Sequence, residues 1–352
     1  ALALSAGGEG LLSDFQYAYA ADVTGGNVVV DAGHPAPTPA AGNAHDIPGA
    51  TDNRNVTGNK LTISGVGFGP VYGGYTLGTG NSTGNEVIVK DGATNNAYAY
   101  GGWSANGNAT NNTITLTGTA STAWHWNIKY YGGFSNNPSA DVRTGNTLKV
   151  QSKSHLVHDM FNFEKLQFDL SSGINSGDTM VSVNYAQPGA QTFDWGNIVV
   201  TGAADWASGA RGSKRVTLYQ ALASAALTLN NYNPLGTSSE SGNFEYGKTT
   251  NTTTPGASTV TATQIFFDVN QFKNGDVVYN TSTKPLPASG VVYGGTSTLG
   301  RTTTNNKLTL DGVSTVDKVY GGYTQSNTGD ANNNEIVMKD GATNNAYAYG
   351  GW

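Results

Sequence analysis

The sequence has 352 residues, contains no cysteine, and is only 12% charged. The absence of cysteine excludes thiol catalysis, cysteine-ligated zinc and disulfide bonds. The charged share is about half of the ~25% found in ordinary soluble domains. Its 18 basic residues are scattered among 24 acidic ones, so the sequence predicts no binding of nucleic acid or of an anionic membrane surface. No apolar run reaches the ~18 residues of a membrane-spanning helix.

Glycine, by contrast, is abundant at 48 residues, and hydrophobic residues make up 37% of the chain. That hydrophobic share is sufficient for a packed core, unlike the composition of disordered chains. Turn-forming residues beside β-branched and aromatic residues predict many short strands.

The sequence repeats a unit of two halves, called a rung below. The first half reads Asn-x-Φ-x-Φ, where Φ is apolar, and the second reads Tyr-Gly-Gly followed in most copies by an aromatic residue. The first halves begin at Asn59, Asn85, Asn112, Asn146, Asn306 and Asn334, and the tyrosines of the second halves are Tyr72, Tyr100, Tyr131, Tyr293, Tyr320 and Tyr349. Within each group the glycine pairs recur every 27 to 31 residues by their numbers, a period typical of solenoids and arrays.

The period of two in the first half predicts a half-buried strand. The residues expected to point inward are Leu61, Ile63, Val87, Val89, Ile114, Leu116, Leu148, Val150, Leu308, Leu310, Ile336 and Met338, and those expected to face water include Thr62, Thr115, Lys149 and Thr309. Stacking such strands in register predicts a ladder of asparagine side chains and a column of tyrosines. The glycine pair is expected to supply positive φ at a corner. The sequence therefore predicts an all-β fold, a parallel β-helix (β-solenoid) with irregular loops and a less regular middle section.

Five segments are predicted along the chain: a remnant of an export signal at 1–20, a cap and loop region at 21–57, Tyr-Gly-Gly rungs at 58–150, an irregular solenoid section with insertions at 151–290, and a second rung array at 291–352. Residues 18–22 fit a signal peptidase site, although an ordinary apolar strand or cap fits the N-terminal segment too. Within the middle section, LYQALASAAL at 218–227 fits either a helix or a strand followed by a turn.

The stretch KDGATNNAYAYGGW occupies 90–103 and recurs unchanged at 339–352. It predicts duplication of one rung and a natural polypeptide that continues as a longer array.

The rungs, together with NFEKLQFDLSSGINSGDTMVSV and RVTLYQA, resemble the passenger regions of Gram-negative (type V) autotransporter adhesins over most of the chain from Asn55 to Trp352. The resemblance implies a right-handed parallel β-helix that is secreted through the outer membrane and held at the cell surface. It also implies membrane association only through the family's C-terminal barrel, which the sequence does not include, and a monomeric fragment.

Candidate binding residues are the aromatics that follow the glycine pairs and an aromatic insertion in one rung. They are Tyr75, Trp103, Phe134, Tyr323, Trp124 and Trp126; Trp352 stands at the equivalent place in the last rung. The aromatics after the glycines either form an outward strip, able to stack on sugar rings or contact a protein, or pack inward at a corner. The predicted partners are glycans or proteins of host or bacterial surfaces.

Motifs for catalysis are weak. His155 and His158 have a spacing that suits a metal on a helix, but on a strand it sends them to opposite faces. The acidic candidates for glycoside chemistry are Asp141, Asp159, Glu164, Asp169, Asp178, Asp194 and Asp205, and they form no recognisable pair. Because no cofactor or calcium-repeat motif is found, the sequence predicts a non-enzymatic scaffold for adhesion or display. A carbohydrate-active β-helix enzyme (polysaccharide lyase or hydrolase) and a purely structural stalk are the alternatives.

Overall fold

The computed structural model describes residues 23–25, 27–30, 40–43, 53–65, 67–68, 70–90, 92–95, 98–118, 129–171, 173–185, 192–203, 206, 214–233, 239–252, 257–281, 291–315, 317–325 and 328–352. These residues form a β-solenoid of about 8 turns. Trp124 and Trp126, Asp205 and residues 1–20 lie outside the described residues. No helix in the described part is both long and apolar enough to cross a membrane.

The apolar halves of successive rungs form one parallel sheet of seven strands, the aliphatic sheet. Its strands are β2 (Asn27–Val30), β5 (Lys60–Ser64), β9 (Glu86–Lys90), β13 (Thr113–Leu116), β15 (Thr147–Val150), β17 (Lys165–Asp169) and β20 (Ile198–Thr201). Leu61, Val87, Ile114 and Leu148 are direct neighbours in register, and each is at most 1% exposed. The predicted stacking of like residues is confirmed, and each such side chain contributes roughly 1.5–3 kcal/mol by burial.

The Tyr-Gly-Gly halves form a second sheet of twelve strands, the tyrosine sheet. Its parallel strands are β3 (Ala40–Asn43), β7 (Val71–Thr76), β11 (Tyr98–Ser104), β14 (Lys129–Ser135), β16 (His155–Phe161), β18 (Thr179–Tyr185) and β21 (Lys214–Ser224). Short strands complete each rung: β1 (Val23–Thr24), β4 (Val56–Thr57), β8 (Ser82–Thr83) and β12 (Ala109–Thr110) stack in one sheet, and β6 (Gly67–Phe68) pairs with β10 (Thr94–Asn95). Strands β1, β2 and β3 lie in the segment predicted as a cap and loop region.

In the middle section the tyrosine sheet continues into an antiparallel excursion. It consists of β19 (Thr192–Asp194), β22 (Leu227–Asn230), β23 (Ser239–Ser241), β24 (Phe244–Thr252) and β25 (Val260–Gln271), with a 3₁₀ turn at Trp195–Asn197. Within it only β19 and β22 pair in parallel. Strand β25 pairs antiparallel with β21 on one side and with β24 on the other. The section therefore contains both irregular rungs and a β excursion. The helix considered for 218–227 is not formed, because β21 pairs with β18 and β25 through these residues.

The C-terminal array repeats the rung architecture. Its strands are β26 (Asp276–Asn280), β27 (Val292–Ser297), β28 (Thr303–Thr304), β29 (Lys307–Asp311), β30 (Ser314–Thr315), β31 (Val319–Thr324), β32 (Ala331–Asn332), β33 (Glu335–Lys339), β34 (Thr343–Asn344) and β35 (Ala348–Gly351). They pair in parallel as β26-β29-β33, β27-β31-β35, β28-β32 and β30-β34. Leu308 and Leu310 are fully buried here, whereas Ile336 is only partly buried and Met338 is 42% exposed. Met338 lies in register with the buried Leu310, in the inward file as predicted, and it is exposed because β33 is the edge strand of its sheet.

A ladder of buried asparagine side chains joins the rungs, as predicted. The Nδ2 atoms of Asn59, Asn85 and Asn112 donate to the Oδ1 atoms of the next rungs' asparagines at 2.9, 3.1 and 3.3 Å. Asn306 and Asn334 make the same contact at 2.8 Å. Each residue preceding a ladder asparagine is a glycine or asparagine with φ between 53° and 71°. This left-handed turn aims the asparagine into the core.

Two further expectations need correction. Thr115 and Thr309 do not face water: they are 2% and 5% exposed. Thr115 donates to Glu86 at 2.7 Å, and Thr309 lies in register between Val278 and Val337. The glycines of the Tyr-Gly-Gly pairs do not have positive φ either. They lie inside strands, where they are required for close approach: a Cβ on Gly102 would lie 2.5 Å from Asn112 Nδ2 and 2.7 Å from Ser82 Oγ.

Candidate functional site

The glycine pair places two aromatic side chains on one face of each strand. Strict alternation would send residues three apart to opposite faces. In β7, however, Val71, both glycines and Thr76 are buried, while Tyr72 and Tyr75 are both partly exposed. Their rings meet edge to face at 4.8 Å between centroids. In the first array, Tyr75, Trp103 and Phe134 are all partly exposed, so the alternative of inward packing at a corner does not apply to them.

Repetition of this pair makes two aromatic columns along the solenoid, called the aromatic surface below. The first column is Tyr72, Tyr100, Tyr131 and Phe161, stacked at 5.1, 5.0 and 4.5 Å between ring centroids. The second is Tyr75, Trp103 and Phe134, stacked at 4.5 and 6.4 Å. Rings of the two columns contact each other edge to face, as Tyr131 and Phe134 do at 5.7 Å. The predicted tyrosine stacking is confirmed.

The stacking determines which ring atoms a partner can contact. Inside a column each ring face is covered by the ring of the next rung, so ring edges and hydroxyl groups are presented to solvent. A sugar ring would need an open aromatic face for stacking. The aromatic surface is therefore suited to edge contacts and hydrogen bonds from tyrosine hydroxyls.

The hydroxyl groups of the first column stay protonated at physiological pH. Desolvation, with a smaller contribution from neighbouring tyrosines, raises the pKa of Tyr72, Tyr100 and Tyr131 above the ordinary value of 10.0; Asp159 also raises that of Tyr131. Each phenol is thus a hydrogen-bond donor as well as an acceptor at any physiological pH.

A smaller aromatic group lies on the C-terminal array. Tyr293, Tyr320 and Tyr349 stack at 5.5 and 5.1 Å. Tyr323 contacts Tyr320 edge to face at 5.0 Å, but its neighbour in register on β27 is Thr296, so the second column is interrupted here. Tyr323 is thus placed on a different array from Tyr75, Trp103 and Phe134, which share one column.

The junction between the antiparallel excursion and the C-terminal array holds a cleft of about 450 Å³ that no sequence motif indicates. Arg215 binds Asp268 through two hydrogen bonds of 2.6 and 2.9 Å. Glu245 is 1% exposed and accepts hydrogen bonds from Ser297 Oγ at 3.0 Å and the Thr298 N–H at 2.5 Å. The residues converge from strands far apart in sequence, so spacing could not reveal them.

Both carboxylates of this cleft have structural partners, and so do the six acidic residues selected from the sequence that the structure describes. Asp141, Glu164, Asp169, Asp178 and Asp194 accept backbone N–H groups at turns, and Asp159 lies 3.7 Å from Lys129 Nζ and 3.1 Å from His158 Nδ1. On β16, His155 is buried beside Ser152, while His158 lies on the partly exposed face. Among the described residues, no group of three or more His, Asp or Glu converges as a metal site.

No protein-family model matches this chain, and comparison with curated proteins and with solved structures found no match.

Proposed function

We propose that this chain is an exported, surface-displayed passenger of autotransporter type that acts in adhesion or display without catalysis. The observation that supports it is the aromatic surface, a regular array of partly exposed rings on a rigid frame of stacked rungs. Partly exposed aromatics at one repeated position are typical of recognition surfaces. The proposed partners are glycans or proteins of host or bacterial surfaces.

The hydroxyl groups can be tested without disturbing the stacks. Replacing Tyr72, Tyr100 and Tyr131 together by Phe keeps every ring, as Phe161 already does in the same column. Loss of three hydrogen bonds to a partner at about 1 kcal/mol each predicts roughly 100-fold weaker binding to cells or to a glycan array. Unchanged binding would exclude the hydroxyls as contacts.

A second variant removes the outer column. Replacing Tyr75, Trp103 and Phe134 by Thr uses the residue that Thr296 places at this position in the C-terminal array. We expect cell binding to be lost, while the control Tyr323→Thr retains it. Urea unfolding of each variant distinguishes lost contacts from lost structure.

Surface display is tested by treating intact cells with protease. A chain that is cleaved only after the cells are lysed would contradict surface display.

The carbohydrate-active alternative has one specific observation in its favour, the junction cleft with Glu245 and Asp268. If the wild-type chain releases reducing sugar from polysaccharides and Asp268→Asn or Glu245→Gln abolishes that release, the carbohydrate-active function is supported and the adhesion proposal is contradicted. Their existing hydrogen bonds to Arg215, Ser297 and Thr298 favour a structural role. A chain that binds no cell or glycan at all would support the stalk.

A further inference from the structure

The tyrosines of the Tyr-Gly-Gly halves stack ring on ring through three successive rungs of each array. Tyr72 and Tyr100 lie 5.1 Å apart between ring centroids with their planes 5° apart, and Tyr100 and Tyr131 lie at 5.0 Å and 25°. The C-terminal array repeats this geometry at 5.5 and 5.1 Å, with planes 16° and 13° apart, in Tyr293, Tyr320 and Tyr349. Because the rings of each pair are close to parallel, their equivalent atoms lie about as far apart as their centroids.

Neighbouring phenols in this arrangement can be joined by oxidation. Removing one electron and one proton from a tyrosine leaves a radical whose unpaired electron is shared between the oxygen and the ring carbons ortho to it. Two such radicals couple through these carbons to give dityrosine. In an edge-to-face pair such as Tyr72 and Tyr75, an edge carbon of one ring points at the face of the other. In a stack, the ortho carbons of successive rings follow one another along the file, so the stacked pairs are the ones arranged to couple.

An oxidant can reach these phenols from solvent. Tyr72, Tyr100 and Tyr131 are partly exposed, and the stack turns their ring edges and hydroxyl groups outward. Tyr320 is 5% exposed, but the tyrosines stacked on either side of it are partly exposed. Rings in contact exchange an electron readily, so a radical formed on an outer ring can pass to Tyr320.

A bond between stacked tyrosines would join rungs that disulfides cannot join. The chain contains no cysteine. Neighbouring strands lie about 4.8 Å apart, a separation that two tyrosine side chains can bridge when their ring edges turn toward each other. Tyr72 and Tyr100 are 28 positions apart by their numbers, and a bond between them closes a loop of that length. Closing a loop restricts the unfolded chain and so stabilises the folded one.

We propose that the stacked tyrosines are sites of oxidative cross-linking, at which hydrogen peroxide and a haem peroxidase convert a neighbouring pair to dityrosine. Each phenol loses one electron and one proton, and a C–C bond forms between the two ortho carbons. The hydrogen on each joined carbon then moves to the oxygen and restores the phenol. The two electrons and two protons reduce one peroxide to two waters. The proposal goes beyond adhesion or display, and either can hold without the other.

The test is treatment of the purified full chain with hydrogen peroxide and a haem peroxidase, at a dilution where molecules rarely meet, followed by mass spectrometry of linked peptides. Peptides that have lost two hydrogens should join Tyr72 to Tyr100 or Tyr100 to Tyr131, and the matching pairs of the C-terminal array should be joined too. Tyr232 and Tyr246 are internal controls, because their ring contacts are with tryptophan and phenylalanine. We expect these two to stay unlinked.

The matched variant is Tyr100→Phe, which keeps a ring in the stack but removes the phenol that both pairs of the first array share. We expect it to lose the links of the first array and to keep those of the C-terminal array, with urea unfolding before oxidation close to that of the wild type. A wild-type chain that forms no dityrosine would overturn the proposal. So would links that include Tyr232 and Tyr246 as often as the stacked tyrosines, or dimers as the main product.

Discussion

The buried asparagine ladder gives the sharpest prediction about stability. Asn85 is 1% exposed, and its Oδ1 accepts hydrogen bonds from the backbone N–H and Nδ2 of Asn59. Its Nδ2 has two hydrogens, which are shared among three acceptors within hydrogen-bond distance, Val56 O, Ser82 Oγ and Asn112 Oδ1. Asn85→Ala removes all of them and leaves the Asn59 N–H and the Val56 carbonyl without these partners in the core.

The magnitude follows from this inventory. A hydrogen bond contributes about 1 kcal/mol net, and a buried group left unpaired costs about 1–3 kcal/mol. Water can enter the space of the lost amide and satisfy some of these groups. We expect Asn85→Ala to lower the free energy of unfolding by about 3–5 kcal/mol, a large part of the 5–15 kcal/mol typical of a folded domain.

The assay is equilibrium unfolding in urea followed by far-ultraviolet circular dichroism. The matched control is Asn81→Ala in the same rung, which removes one hydrogen bond at an exposed site and should cost about 0.5–1 kcal/mol. A third variant, Asn85→Asp, keeps the shape but brings a carboxylate against Val56 O and Asn112 Oδ1, so it should be no more stable than Asn85→Ala. If Asn85→Ala unfolds at the same urea concentration as Asn81→Ala, the ladder is not what holds the rungs together.

Three further predictions concern packing and pH. Gly102→Ala should lower the free energy of unfolding in urea by about 2 kcal/mol, because its Cβ would lie 2.5 Å from Asn112 Nδ2. Gly84→Asn should be nearly neutral, because Asn111 adopts φ 57° at the equivalent turn of the next rung. Burial lowers the pKa of His155 to about 4, so the unfolded chain binds more protons than the folded chain between pH 6.5 and 4. The free energy of unfolding should therefore fall by up to about 3 kcal/mol as the pH drops through this range. Unfolding measured across the same range should lose this contribution in His155→Gln. Burial lowers the pKa of Lys248 to about 8, partly opposed by Asp194, so the stability of the wild type relative to Lys248→Met should rise by up to about 1.4 kcal/mol per pH unit between pH 8 and 9.5. Equal slopes in the two proteins would contradict the assignment.

The regular part of the fold could be predicted because one repeat sets both the period and the register. Leu61, Val87 and Ile114 share a file since each follows a ladder asparagine by the same interval, and the same argument correctly stacks the tyrosines. Burial of Thr115 could not be predicted in this way. Alternation assigns Thr115 to the outer face, but exposure there depends on the neighbours that cover it, and Glu86 is one of them.

The junction cleft was unpredictable for a different reason. Arg215 and Asp268 meet because β25 turns back antiparallel against β21, and this reversal carries no repeat signal. Phe161 was missed as a member of the aromatic surface since it follows no glycine pair. Only its register with Tyr131 places it there.

The glycine pair connects the interior of the scaffold to its surface. Gly101 and Gly102 leave room for the side chain of Asn112 on the inside, and the same two residues bring Tyr100 and Trp103 to the same outer face. The ring faces can stack at 4.5–5.1 Å only if the rungs keep the spacing that the buried ladder holds. Substitution at a glycine should therefore disturb the ladder and the aromatic surface together, whereas substitution of an aromatic ring should alter the surface and leave the ladder intact. Comparing the stability and the binding of Gly102→Ala with those of Trp103→Thr separates these two effects.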